Sequence, residues 1–216
     1  MPESRPPVPV AARIREAILA GEFVPNQRLI EADLSDRFGA GRAAVRAALL
    51  ELANEGLIER VQNRGARVRA VSLAEAIEIT EVRMVLEGLC AAKAAERATD
   101  ADIAGLREIG AGMRDAVASG DVFGYSDLNQ RLHARVREIS GHGTASDVLE
   151  RLRAQNVRHR FRLALQPGRP QTSLPEHLAI IEAIAARDPA EAERAARAHL
   201  ASVLEALPQV LPDESR

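Results

Sequence analysis

Apolar positions in the first 70 residues recur three times at helical spacing and then switch to alternation. From Val10 to Leu19 the spacing puts Ile14, Ile18 and Leu19 on one face, with Gly21 as the stop. Pro25 interrupts the following turn. Ile30, Leu34 and Phe38 then fall at i, i+4 and i+8, which predicts a short helix over 30–38. Gly39-Ala40-Gly41 reads as a tight turn. A third helix is expected over 42–54, with Val45, Leu49 and Leu52 inward and Gly56 beyond its end. Residues 57–61 and 66–69 alternate as strands do, and Gln62-Asn63-Arg64-Gly65 between them reads as a hairpin turn.

From Leu73 onward the strand pattern disappears. Helices are predicted near 73–97, 101–119, 122–139, 144–165, 174–187 and 189–206, with residues 207–216 as a frayed tail. The breaks carry turn residues, among them Gly141-His142-Gly143, Gln166-Pro167-Gly168-Arg169-Pro170 and Asp188-Pro189. The fold class expected is mainly α, in two domains. Residues 1–70 form a winged helix-turn-helix, and 71–216 form an antiparallel six-helix bundle.

Composition narrows the chemistry. One cysteine, Cys90, excludes a disulfide framework and a cysteine-rich zinc module. No apolar run approaches the length of a membrane span, and the first residues lack an apolar signal core, so a cytoplasmic location without membrane contact is expected. With no Trp, one Tyr and four Phe, stacking platforms for single-stranded nucleic acid are not expected. The net charge of −2 conceals an asymmetry. Residues 1–70 carry 11 Arg against 9 acids, whereas the remainder carries 18 Lys and Arg against 22 acids. Patches rather than totals steer polyanions.

The predicted corner of helices 30–38 and 42–54 buries Leu34, Phe38, Val45 and Leu49, which leaves Arg42 and Arg46 outside, one turn apart. Arginines at the N-terminal end of a recognition helix can pair with guanine in the major groove. Arg37 can hold a phosphate, and Arg64, beside Gly65 at the hairpin tip, can enter the adjacent minor groove. The competing reading leaves these arginines solvated or paired with Glu51 and Glu55.

The second domain offers histidines. His177 lies 11 residues before Asp188 and His199 lies 11 after it, so a hairpin folded at Asp188-Pro189 brings them to one height. Asn129 and His133 stack one turn apart on a third helix. Three neutral imidazoles with one oxygen ligand suit zinc, nickel or a similar divalent ion. Three unrelated, ordinarily hydrogen-bonded histidines are the alternative. His142 and His159 are expected to face solvent, and Cys90 to be a small core residue.

These residues also carry a resemblance. Ile14-Arg15-Glu16-Ala17-Ile18-Leu19-Ala20-Gly21, Pro25, Arg28-Leu29, Leu34, Phe38-Gly39, Arg42, Val45-Arg46, Leu49, Leu52, Glu55-Gly56-Leu57 and Asn63-Arg64-Gly65-Ala66 resemble the GntR family of bacterial transcription regulators. That family usually has Ser-Arg-Thr-Pro-Val-Arg-Glu-Ala where this chain has Gly41-Arg42-Ala43-Ala44-Val45-Arg46-Ala47-Ala48. Both arginines survive, and the cap hydroxyl, the proline and the glutamate do not. Glycine still caps a helix, at a cost of a few tenths of a kcal/mol. Glu81-x-Arg83-x-x-Leu86-Glu87, Asn129-x-x-x-His133 and His177 with His199 are similar to the FCD ligand-binding domain of the FadR subgroup, in its six-helix, VanR-like branch. The resemblance implies a divalent metal on Asn129, His133, His177 and His199 beside a small carboxylate effector. It also places Arg83 near that cavity, where the arginine either clamps the carboxylate or forms a surface salt bridge to Glu87. The function so implied is a homodimeric repressor that reads a palindromic operator in double-stranded DNA and is controlled by a small organic acid. A metal-dependent hydrolase or lyase with a docking N-terminal domain is the other reading. It is the weaker one, since Glu176 and Glu138, the acids nearest the histidines in sequence, show no inward placement.

Overall fold

A computed structural model describes residues 8–61, 65–155, 163 and 166–210 of the chain. It divides into two compact units, residues 1–71 with 153–158, and residues 72–152 with 159–216.

In the first unit, α1 (Val10–Leu19), α2 (Glu31–Phe38) and α3 (Arg42–Asn54) precede a small sheet of β1 (Arg28–Leu29), β2 (Ile58–Val61) and β3 (Gly65–Val68). The strand order is β1-β3-β2 and both pairings are antiparallel. The register sets Ile58 opposite Val68, and Leu29 opposite Ala66. The alternating pattern therefore turns Ala66 and Val68 inward, against a core of Ile14, Leu29, Leu34, Val45, Leu52 and Ile58. Two-residue β1 gives no periodic signal and was not expected from the sequence. Its neighbour Asn26, at φ 63, donates its backbone N–H to Val68 O at 2.9 Å, which ties the loop onto the β3 edge. The α2–α3 corner depends on Gly39, at φ 59 and ψ 42, a left-handed backbone that glycine adopts without strain.

The second unit contains α4 (Leu73–Arg97), α5 (Asp100–Ser119), α6 (Val122–Ser140), α7 (Gly143–Gln155), α8 (Arg169–Ala185) and α9 (Pro189–Val210) among the described residues. Each of four starts carries a cap legible in the chain. Ser72 accepts from Glu75 N at 3.2 Å, Thr99 and Asp102 form a capping box, and Asp121 accepts from Gly124 N at 2.9 Å. Asp188 does the same for Glu191 N at 3.0 Å. The core joins alanines 91, 94, 95 and 98 of the α4 end to Leu106, Met113, Leu132, Ile181 and Ile184. Small residues there let α4 and α9 lie close. Gly88 faces Arg197 and Glu193 with so little room that an added Cβ would sit 3.1 Å from Arg197 Cγ.

Three expectations are corrected. Helix α8 begins at Arg169, not near 174, because Pro170 sits in its first turn, where a missing N–H costs no helical bond. Helix α9 continues to Val210, past the predicted end at 206, because Leu207 is buried and holds that turn down. His142 is half-buried rather than solvated, and its Nδ1 accepts from Ala145 N at 3.3 Å at the start of α7. The predicted helix over 144–165 is described as far as Gln155, and His159 lies outside the described residues.

Candidate metal centre and nucleic-acid interface

The first unit presents Arg42 and Arg46 on the outside of α3, as the apolar spacing requires. The Arg46 side chain is 72% exposed and makes a two-point pair with Glu31 of α2, Nε to Oε1 at 3.2 Å and Nη2 to Oε2 at 2.9 Å. The Arg46 hydrogen bond, and further the fields of Arg46, Arg42 and Arg60, hold the Glu31 carboxyl below its ordinary range. One acid thus sits among three arginines of α3 and β2. Sequence reading missed both Glu31 and Arg60, because the grouping joins three separate elements. Arg37, expected to hold a phosphate, stacks and pairs within its own unit. Its guanidinium lies 4.7 Å from the Phe23 ring centre and 5.6 Å from that of Phe38, and it pairs with Glu22. Glu51 and Glu55, weighed as partners for the reading arginines, instead serve Arg15 of α1. Gly65 opens β3 at φ 87, and Arg64 lies outside the described residues.

In the second unit the helical hairpin does what the spacing around Asp188 requires. His177 of α8 and His199 of α9 have ring centres 4.3 Å apart, and His133 of α6 lies 5.4 Å from each. One ligand nitrogen from each ring falls within 4.8 Å of the others. His177 is 1% exposed. Burial, followed by the neighbouring His199, His133 and Arg169, lowers its pKa well below 6.5, so it stands neutral with a lone pair available.

The outer edges of the rings decide which nitrogen faces inward. His133 Nδ1 lies 2.9 Å from Glu87 Oε2, His199 Nδ1 lies 2.8 Å from Glu176 Oε2, and His177 Nδ1 lies 2.9 Å from the Tyr125 hydroxyl. Tyr125 is kept protonated by burial, which raises its pKa, and Ser173 is its other hydrogen-bonding neighbour. With a partner beside each Nδ1, the Nε2 of each ring is the nitrogen left free to bind an ion when the proton sits on Nδ1. Four buried side-chain atoms of these residues make no hydrogen bond: His177 Nε2, Asn129 Oδ1 one turn before His133, Glu87 Oε2, which meets His133 as a close ion-pair contact, and Arg169 Nη2. His177 Nε2 and Asn129 Oδ1 are lone-pair donors of the kind a divalent ion satisfies, so the residues fit a metal.

Arg83 forms the expected bridge to Glu87, but inside the bundle. Its side chain is 5% exposed, and Nε and Nη2 donate to Glu87 Oε1 at 3.0 and 2.7 Å, so the pair is buried, not a surface bridge. The sequence reading that left Glu176 outside is also corrected, for Glu176 bonds His199 directly. Burial pushes its carboxyl up, and the bonds to His199 and Ser202 with the fields of His199 and Arg169 bring it below the usual range. Glu87 was missed because it acts from α4, far from the histidines in sequence. Both glutamates address the Nδ1 side of their rings, away from Nε2. Cys90 is buried, and with Glu87, Leu132, His133 and Val136 it lines a space of about 10 Å³, room for one water.

Comparison with known families accounts for both units. The FCD domain pattern matches residues 78–202, and the pattern described as bacterial regulatory proteins, gntR family, matches residues 8–68. The chain belongs to the GntR regulators that carry an FCD domain. This GntR–FCD regulator is 28% identical over 202 residues to the HTH-type transcriptional repressor RspR of Escherichia coli, covering 94% of this chain and 89% of the relative. It is 26% identical over 206 residues to the transcriptional repressor GlaR of the same organism, covering 92% and 94%. Escherichia coli McbR/YncC shares its fold, with a TM-score of 0.79 at 22% identity over 93% of this chain and 95% of that one. A GntR regulator from Rhodococcus sp. RHA1 aligns with a TM-score of 0.66 at 25% identity, again over 93% and 95%. The relatives of the GntR–FCD regulator are transcription regulators, not enzymes, which removes the hydrolase reading. No helix among the described residues is long and apolar enough to cross a membrane.

Proposed function

We propose that this regulator is a homodimeric, metal-dependent repressor whose winged helix-turn-helix, residues 1–70, reads a palindromic operator and whose domain 71–216 binds a small organic acid and dimerises. The observation that carries the reading is the set of three imidazoles whose ligand nitrogens lie within 4.8 Å of one another, each with a partner at Nδ1, together with the unpartnered His177 Nε2 and Asn129 Oδ1. His133, His177, His199 and Asn129 would hold a borderline divalent ion such as zinc or nickel. A bound ion supplies an electrophilic site at which an anionic oxygen can bind.

The donor set is neutral, and Glu87 and Glu176 are each opposed by an arginine. A divalent ion in this setting keeps both charges uncompensated, which supports a carboxylate as effector. Arg83 enters as an effector contact only by sharing or exchanging Glu87, which now occupies two of its nitrogens. In the reading head, Arg42 and Arg46 contact base edges, Arg37 and the wing residues Arg64 and Gly65 contact the backbone or minor groove, and Glu31 yields Arg46 to the DNA. The effector acts by favouring an arrangement of the dimer that cannot meet both half-sites, with a coupling of roughly 1–3 kcal/mol.

The test is metal content and operator binding together. Purified wild type should retain about one divalent ion per chain by elemental analysis, and His177→Ala/His199→Ala should retain none. Small carboxylates should raise the melting temperature of the wild type with metal but not after chelation, and should release operator DNA in a mobility-shift assay. Stoichiometric metal in the double variant, or carboxylate effects indifferent to chelation, would overturn the site.

A further inference from the structure

The two glutamates that hold histidines are themselves held. Arg83, on the same helix as Glu87 and one turn before it, donates twice to Oε1 of the carboxylate whose Oε2 meets His133. Arg169, buried at the first residue of α8, places Nη2 3.6 Å from Oε2 of Glu176, the atom that meets His199, while its Nη1 donates to Ser202 Oγ at 2.9 Å. Ser202 is also a hydrogen-bonding neighbour of Glu176, so the second carboxylate has a hydrogen bond from Ser202 and the field of Arg169 at ion-pair distance. The same order, arginine to glutamate to histidine Nδ1, occurs twice in one bundle, starting from different helices. His177 is the exception, with a neutral phenol in that place.

We propose that Arg83 and Arg169 are positioning residues of the metal centre. Each anchors a carboxylate that fixes the tautomer and the rotation of one histidine, so that His133 and His199 are preset with Nε2 inward. This rests on the metal reading above and assigns Arg83 a role that the sequence did not suggest. The physical basis is the rigidity of each link. A glutamate with free rotamers would hold an imidazole only part of the time, whereas a guanidinium gripping the carboxylate removes that freedom before the ion arrives. Two buried arginines also offset the buried Glu87 carboxylate and the half-buried Glu176.

The experiment uses the full chain, stripped with a chelator and titrated with Co²⁺, whose visible absorption reports ligand geometry. Affinity is read by competition with a chromophoric chelator. Glu87→Gln and Glu176→Gln should each weaken Co²⁺ binding by about 10- to 100-fold and alter the absorption band. Arg83→Met and Arg169→Met should weaken it in the same direction, and Arg83→Lys should recover part of the loss. Because Arg83 acts through Glu87, Arg83→Met/Glu87→Gln should bind no more weakly than Glu87→Gln alone. That double variant removes both members of the buried pair, so it also guards against a single variant that fails to fold with a stranded charge. Glu150→Gln, exposed on α7, should match the wild type. Wild-type affinity and absorption in the Glu87→Gln and Arg83→Met variants would overturn the proposal, as would additive losses in the double variant. A wild type that takes up no Co²⁺ would overturn the metal reading, and this assignment with it.

Discussion

His177 supplies a prediction whose sign and size follow from its surroundings. It is 1% exposed, and after burial itself, His199, His133 and Arg169 all disfavour its protonated form, with Glu87 the opposing influence. Its folded pKa lies well below 6.5. In the unfolded chain the same imidazole takes up a proton near 6.5, so below that pH the unfolded state binds the extra proton. The stability tied to neutral His177 is therefore complete above about pH 6.5 and is lost as pH falls from there toward the depressed folded value. The limiting slope is about 1.4 kcal/mol per pH unit, which integrates to about 1 kcal/mol between pH 6.5 and 5.5. The perturbation is His177→Gln, which keeps a hydrogen-bonding amide beside Tyr125 and does not titrate. Urea unfolding of the chelator-treated proteins across this range gives the two slopes, and their difference isolates His177 from every other titrating group. The variant should lose about 1 kcal/mol less than the wild type over that interval. Equal slopes would refute the account of a buried, neutral imidazole.

Other perturbations test other levels. Arg46→Ala should lower specific operator affinity by about 5- to 150-fold, and an unchanged footprint would remove α3 from the groove. Glu31→Gln should raise DNA affinity, most at low salt, because it deletes an acid among Arg42, Arg46 and Arg60; titration at several ionic strengths would show it. Gly39→Ala should cost about 1–2 kcal/mol in chemical unfolding from its left-handed backbone alone, since no neighbouring atom lies within 4 Å of an added Cβ. Leu106→Ala, at a fully buried position of the bundle, should cost about 2–5 kcal/mol in the same measurement.

Much of the architecture was legible because its signals are local. The periodicity of Ile14, Leu34, Val45 and Leu52, the caps Ser72, Thr99, Asp121 and Asp188, and the glycine of the α2–α3 corner each act within a few residues. The His177–His199 pairing was legible too, since a hairpin with arms of equal length needs only helical geometry. Where the sequence reading failed, the deciding contact crossed between elements. Pairing with β3 creates β1, Leu207 extends α9 by packing, and Pro170 is harmless in a first turn.

By itself, then, the sequence determined the two-part plan, the exposed arginines of α3 and the set Asn129, His133, His177 and His199, because helix period, turn chemistry and motif spacing are properties of the chain. Only the tertiary structure decided what surrounds those residues. It set Glu31 against Arg46, placed Arg37 on Phe23 and Phe38, and turned Arg83, Glu87, Arg169, Glu176 and Tyr125 into the supports of the histidines. Partners of that kind come from α4, α6 and α8 at once, and no spacing along one helix encodes which side chain of another will reach a ring nitrogen.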